Sequence, residues 1–225
     1  MRVVTLNLRS GLSLPDPGNL TPLIEFLSSL SADVICLQEV DRFLPRSRFR
    51  NQTASISKAL GMQGRFFPSF PFSPFSFGLT TLSHLPFVGH RSYFLPFSNE
   101  PRVLAKSVIL FEGKPCMIFN THLGLKSDER NRQTRRISHI ITPENSPFLL
   151  CGDFNEPVPA PAMASLPHKF KEVRDFAYAP TFPAFDPKVR IDLMFCSSES
   201  TFSSAFVSPV VVSDHLAFVA DLELK

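Results

Sequence analysis

The stretch Phe148-Leu149-Leu150-Cys151-Gly152-Asp153-Phe154-Asn155 sets a carboxylate and an amide two residues apart, directly after an apolar run closed by glycine. Residues two apart on an extended backbone project to the same side, so Asp153 and Asn155 can address one small target. Taken alone, a strand followed by an Asx turn accounts for it better, since Asp and Asn are common turn residues. The pattern recurs, however. Val3-Val4-Thr5-Leu6 runs into Asn7, Val34-Ile35-Cys36-Leu37-Gln38 into Glu39, Met117-Ile118-Phe119 into Asn120-Thr121-His122, and Val210-Val211-Val212 into Ser213-Asp214-His215. Apolar strands that each end in carboxylate, amide or imidazole describe one site. Glu39 is a hard oxygen ligand for Mg²⁺, Asn7 can assist it, and Asp214 completes the sphere or holds a second ion. Magnesium keeps several waters and takes one or two carboxylates, which fits this supply. For Glu39 alone, a solvated strand end is an equal reading. No His/Cys cluster asks for zinc. His215 is the best base, because imidazole titrates near neutrality and needs a carboxylate to fix its tautomer.

Thr5-Leu6-Asn7, Leu37-Gln38-Glu39-Val40, Asn120-Thr121-His122-Leu123, Gly152-Asp153-Phe154-Asn155, Arg190-Ile191-Asp192 and Ser213-Asp214-His215, in that order, resemble the endonuclease/exonuclease/phosphatase superfamily. Its members include pancreatic-type deoxyribonuclease, exonuclease III, neutral sphingomyelinases and inositol polyphosphate 5-phosphatases. The resemblance implies hydrolysis of phosphate esters with Mg²⁺, or Mn²⁺ in its place. It implies that Asp192 orients His215, that Asp153 positions the attacking water, and that Asn120 and Asn155 hydrogen-bond phosphoryl oxygens. His122 would contact the phosphate, as in the deoxyribonuclease-like branch, and Arg102 sits where the family often has an arginine. That branch pairs the histidine with a glutamate, for which the sequence shows no counterpart. Phe77-Gly78-Leu79-Thr80-Thr81-Leu82-Ser83 departs from the family strand by carrying Leu79 in place of the usual Asn. The first substrate class is a nucleic acid; the alternatives are a phospholipid head group or an inositol or sugar phosphate. An alternative of another class is a binding module that keeps the fold without catalysis, but Glu39, Asp153, Asp192 and His215 are all present.

The elements that must position these residues follow from periodicity. Leu23, Ile24, Phe26, Leu27 and Leu30 recur at helical spacing behind Thr21-Pro22, an N-cap followed by proline, so a helix joins the first two strands. A second helix is expected over Thr53–Leu60, ending at Gly61, and a third from Ser127, with Arg130, Arg132, Arg135 and Arg136 on one side and Ile137, Ile140 and Ile141 on the other. Strands are expected near 87–94, 103–111, 116–120, 191–196, 202–207 and 216–222. The proline-rich residues 156–187 read as a long loop with a short helix around Pro161–Leu166. Arg65–Phe77 carries Phe66, Phe67, Phe70, Phe72, Phe75 and Phe77 among Pro and Ser, which confines it to an edge strand or loop. These rings either cover the core, the favoured reading, or form an exposed lip for lipid or partner contact over Phe66–Phe77. Arg42, Arg46, Arg48 and Arg50 form a basic stretch that reads as a solvated loop, with substrate phosphate contact as the sharper alternative. Together the elements describe an α/β fold, a four-layer α/β/β/α sandwich of two mixed β-sheets flanked by helices, as one domain over 1–225.

Composition sets outer limits. At 225 residues, 44% hydrophobic and 19% charged, the chain can bury a sizeable core and is globular rather than disordered. The four cysteines lie inside or beside apolar runs without close-spaced pairs, as buried reduced thiols do. The formal charge of +3 permits a phosphate-bearing partner without demanding one and argues against a wide nucleic-acid footprint. No apolar run of about eighteen residues and no h-region are present, so a cytoplasmic monomer is expected.

Overall fold

The computed structural model describes residues 1–13, 16–160 and 162–223. Strand β1 (Arg2–Asn7) lies parallel to β2 (Val34–Arg42), and a parallel pair needs a crossover, which α1 (Thr21–Ser29) supplies. Thr21, expected as the cap, is instead the first helical residue; its N–H goes to Asn19 Oδ1 at 3.1 Å. Helix α2 (Gln52–Leu60) is capped by Asn51, whose side chain accepts from the Ala54 N–H. It ends at Gly61, where φ is +64°. Strands β3 (Gln63–Pro68) and β4 (Ser76–Ser83) form an antiparallel pair, with β3 at the sheet edge, as its proline requires.

The second sheet begins with the meander of β5 (Phe87–Leu95), β6 (Arg102–Phe111) and β7 (Lys114–His122). Helix α3 (Ser127–Ile141) then crosses over to β8 (Phe148–Asp153), parallel to β7. Strands β9 (Phe170–Val173) and β10 (Asp192–Ser197) complete it, while β11 (Thr201–Val207) and β12 (Phe218–Glu223) return to the first sheet. Among the described residues, the two mixed sheets have six strands each, ordered β11-β12-β1-β2-β4-β3 and β5-β6-β7-β8-β10-β9. Within the proline-rich segment, β9 was not expected; it pairs with β10 at the sheet edge. The short helix expected there is a 3-10 turn over Met163–Ser165, and Pro161, its expected start, lies outside the described residues.

Among the described residues, strand alternation distributes three large cores beside a small cluster of Phe67, Leu79, Val103 and Ala105. Val3, Val34 and Cys36 of the first sheet meet Ile118, Leu149, Cys151 and Met194 of the second, which makes the inter-sheet layer. Val4, Leu6, Ile35 and Leu37 face outward onto Leu23, Phe26 and Leu27 of α1. Phe119 and Leu150 face the other way onto Ile137 and Ile141 of α3. The result is a four-layer sandwich. All four cysteines are free, buried and within the inter-sheet layer.

The strands deliver their ends to one place. His122 and Asp153 are register partners at the C-terminal ends of β7 and β8, and Asn7 ends β1 beside Gln38 of β2. Gly152 makes the approach feasible: its φ is +145°, and a Cβ there would stand 1.9 Å from the Thr121 carbonyl oxygen. Glu39 has φ +52° at a register shift between Leu37 and Val40. A bulge of this kind re-aims a side chain, here into the space between the sheets' ends.

Candidate active site

Asp153 is the centre of the arrangement. Its Oδ2 accepts from Asn7 Nδ2 at 3.1 Å and lies 3.3 Å from His122 Nε2 and 3.7 Å from His215 Nε2. Its Oδ1 accepts from the Asn155 N–H at 2.9 Å. Burial and then the nearby Asp192 raise its pKa to about 6, against the pull of His215, Asn7 and the Asn155 amide. The open face of this group is a cleft of about 330 Å³ lined in part by Asn7, Glu39, Arg102, His122, Asn155, Asp214 and His215.

His215 and Asp192 form a buried pair, with Nδ1 2.8 Å from Asp192 Oδ2. A carboxylate at Nδ1 keeps a proton on that nitrogen and turns Nε2 toward the cleft. Burial opposes a positive charge on this imidazole, but the carboxylates of Asp192, Asp153 and Asp214 outweigh it and raise the pKa to about 10. Phe182 packs on the ring at a centroid distance of 4.7 Å, a contact for which the sequence carried no signal.

His122 is arranged differently. Its Nδ1 lies 2.9 Å from Arg102 Nη1, which also lies 3.3 Å from Glu100 Oε1. Burial, the Arg102 guanidinium and His215 all push its pKa well below the ordinary histidine value. Thus the partner of His122 at Nδ1 is an arginine, with Glu100 beyond it, and Asp153 faces Nε2.

Glu39 and Asp214 both line the cleft. Asn7 Nδ2 donates to Glu39 Oε1 at 3.0 Å as well as to Asp153, while its Oδ1 accepts from the Arg9 N–H at 3.0 Å. Asn7, expected to assist a cation with its oxygen, therefore has that oxygen engaged and links two carboxylates through its NH₂. Asp214 lies 3.4 Å from Arg9 Nε. Glu39 and Asp214 offer hard carboxylate oxygens that fit a divalent cation, every cysteine sulfur lies away in the core, and Asp153, Asp192 and His215 bring two carboxylates and an imidazole within 4.8 Å of one another.

Asn120 does not reach the cleft. It is fully buried; its Oδ1 accepts from Gln38 Nε2 at 2.8 Å, and its Nδ2 donates to the carbonyls of Leu37 and Thr80. With its polar atoms engaged, it ties the two sheets together beneath the site. Asn155 lines the cleft, held at φ +51°, with Nδ2 donating to the Leu123 carbonyl at 2.9 Å.

The basic stretch is largely spent on the protein itself. Arg46 pairs with buried Asp41 through Nε and Nη2, Arg48 with Asp16, and Arg42 donates to the Ser73 and Pro74 carbonyls. Asp41 also accepts from Ser10 Oγ, and Gln52 bonds both the Asp41 N–H and the Ser10 carbonyl, so the network props the loop after Asn7 and the strand carrying Glu39. On α3, Arg130 is buried and binds Glu156, Gly124 and Leu125, fixing the loops that follow His122 and Asn155.

Solved structures share this fold over the whole chain. An endonuclease/exonuclease/phosphatase from Bacteroides vulgatus is 18% identical at a TM-score of 0.82, with 100% of this chain and 98% of that one covered. The human nocturnin catalytic domain with bound sulfate anion is 19% identical at a TM-score of 0.78, covering 100% and 94%. A mannosyl-6-phosphatase from Bacteroides thetaiotaomicron is 17% identical at 0.78, covering 100% of both chains. At these identities the likeness speaks for the fold. Comparison with curated protein sequences finds no match. The family match itself runs from residue 4 to residue 215, from the strand that ends in Asn7 to His215, and the chain therefore belongs to the endonuclease/exonuclease/phosphatase family.

Proposed function

We propose that the protein is a phosphoesterase that cleaves phosphodiester bonds and depends on a divalent cation, Mg²⁺ or Mn²⁺. The observation that carries this reading is the convergence of Asn7, His122 and His215 on one oxygen of Asp153, in a cleft that also holds Glu39 and Asp214. Phosphate ester hydrolysis needs charge neutralisation on the phosphoryl oxygens, an in-line water and a base. Asp153 holds the attacking water, and His215 takes its proton at Nε2 while Asp192 keeps Nδ1 protonated and oriented. His122 donates to a phosphoryl oxygen from Nε2, as does the Asn155 NH₂ with the hydrogen not given to Leu123, and Arg102 adds positive charge behind them. Glu39 and Asp214 would hold the cation, with Asn7 orienting Glu39; when bound, it offsets negative charge on the phosphoryl group.

Nucleic acid stays the first substrate class, met within the cleft, where Arg102 adds positive charge, rather than along a wide basic surface, since Arg42, Arg46 and Arg48 are engaged internally. One observation favours a phospholipid head group as second reading. Phe77 lines the cleft and packs edge-on against Phe70 at 5.7 Å, so exposed Phe70, Phe72 and Phe75 extend the cleft wall as an apolar lip. Among the described residues no helix is long and apolar enough to cross a membrane. Reduced core thiols fit a reducing compartment, which supports a cytoplasmic enzyme; a monomer is proposed with it.

The test is hydrolysis of bis-p-nitrophenyl phosphate. Turnover with Mg²⁺ or Mn²⁺ that EDTA removes and Asp153→Asn abolishes is the expected result. Absence of turnover on this ester, single-stranded DNA, RNA, sphingomyelin and mannose 6-phosphate would replace the enzyme with a binding module.

A further inference from the structure

The two imidazoles that face Asp153 carry partners of opposite charge, and this difference sets what each can do. His215 has a carboxylate at Nδ1, whereas His122 has a guanidinium there. A guanidinium stays protonated in proteins and cannot accept a hydrogen bond. At 2.9 Å from Arg102 Nη1, His122 Nδ1 must therefore be the acceptor, and the ring's single N–H sits on Nε2, 3.3 Å from Asp153 Oδ2. The contact is built into the protein. Arg102 and His122 are both buried, Arg102 opens β6 and His122 closes β7, and Arg102 Nη1 is steadied by Glu100 at 3.3 Å.

We propose that Arg102 is a positioning residue that locks His122 as the neutral Nε2–H tautomer, which makes His122 a fixed hydrogen-bond donor into the cleft and withdraws it from proton transfer. The donor role rests on the phosphoesterase reading; the tautomer does not. The charged groups that face this ring are Arg102, with Glu100 behind it, Asp153 and His215. Arg102 and His215 disfavour a second proton, and Asp153 gives the Nε2–H an acceptor when no anion is bound. Labour is thereby divided, with His215 handling the proton and His122 aiming one N–H at an anionic oxygen. A carboxylate in place of Arg102 would draw the proton to Nδ1 and strip the donor from the cleft side.

Histidine ¹⁵N NMR on the intact wild-type protein in EDTA reads the tautomer directly. The expected result is a His122 ring with Nε2 protonated and Nδ1 shifted as a hydrogen-bond acceptor, a tautomer that persists from pH 8 to pH 5.5 while Asp153 titrates beside it. An Nδ1–H tautomer would overturn the proposal, and so would an imidazolium within that range. Arg102→Met should mix the tautomers and lower kcat by about 10²-fold, the scale of losing one oriented donor, with KM changing less. Arg102→Lys keeps a single donor and should recover both readouts in part. A purely phosphate-binding arginine would raise KM and leave the His122 signals as in wild type, which would also overturn the proposal. Because the wild-type spectrum needs neither variant nor activity, the tautomer assignment stands or falls even if the phosphoesterase reading fails.

Discussion

Asp153 and Asp192 stand directly opposite each other on antiparallel β8 and β10, both buried, with His215 reaching each of them. Like charges so placed resist joint ionisation, which is why the pKa of Asp153 rises to about 6 after burial has done its share. Such a carboxylate is more basic folded than unfolded, so its contribution to stability is complete below its ordinary value of about 3.9 and is lost as pH rises through about 6. His215, raised to about 10, contributes fully below about 6.5 and loses that contribution as pH rises through about 10. Both signs agree for this pair: Asp153 and His215 contribute less to the stability of metal-free protein as pH rises from 4 toward 10, while His122, with its lowered pKa, contributes more as pH rises toward about 6.5.

Asp153→Asn removes the penalty. Its Tm in EDTA should exceed that of wild type at pH 8 and match it at pH 4.5. A gain of equal size at both values would show that the two carboxylates are not in conflict.

Catalysis should depend on the same groups in a different way. His215→Ala, Asp153→Asn and Asp192→Asn each remove a function exercised in the transition state, so kcat should fall by roughly 10²–10⁴-fold, with KM little changed. Near-wild-type turnover in any of the three, from protein with a normal circular dichroism spectrum, would remove that residue from its assigned role.

A base must be neutral before it can act, whereas the carboxylates around His215 hold it protonated in metal-free protein. A cation held by Glu39 and Asp214 opposes the imidazolium charge, so Mg²⁺ should lower the His215 pKa in an NMR titration. Glu39→Gln keeps the volume but loses the charged donor, and should shift both this response and calorimetric Mg²⁺ binding to much higher concentration. Equal Mg²⁺ affinity in the two proteins would take Glu39 out of the site.

The site was legible because strand ends carry their chemistry in short contiguous words. Asn7, Glu39, His122 and Asp153 each follow an apolar run in a strand, and the parallel pairs β1–β2 and β7–β8 bring these to one edge; residues 210–212, expected as a further strand, are not one, and Asp214-His215 stand in the loop before β12. What stayed hidden depends on contacts across the fold. Nothing local announces that Gln38 and Asn120 bond each other between the sheets, a contact that engages the amide expected to meet a phosphoryl oxygen. The bulge that turns Glu39 outward breaks the alternation on which side-chain direction is inferred. Arg46 and Asp41 are five residues apart, a spacing with no fixed meaning in a loop, and only the turn over Pro45–Ser47 brings them together. The Phe-rich segment contains both of its readings: Phe67 is core, while Phe72 is fully exposed.

That split leads to the substrate. A protein that neutralises phosphates along a nucleic acid loses affinity with salt at a log–log slope of about −0.9 per phosphate on duplex DNA, or about −0.7 on single strands. With Arg42, Arg46 and Arg48 engaged internally, contact is confined to the cleft, so His215→Ala protein should bind single-stranded DNA or RNA with a shallow slope, on the order of −2, rather than the steep response of a wide footprint. The Phe70–Phe75 lip supplies the contrasting expectation. If the substrate is a phospholipid, the same protein should bind sphingomyelin vesicles almost independently of salt, and Phe72→Ser with Phe75→Ser should release it, since each exposed ring offers roughly 2–3 kcal/mol on burial. Flotation of vesicles with both proteins, beside anisotropy with labelled DNA and RNA from 50 to 200 mM salt, separates the two. Vesicle binding lost in the double variant, together with no measurable nucleic-acid binding at the lowest salt, would exclude the nuclease reading and establish the lipid one.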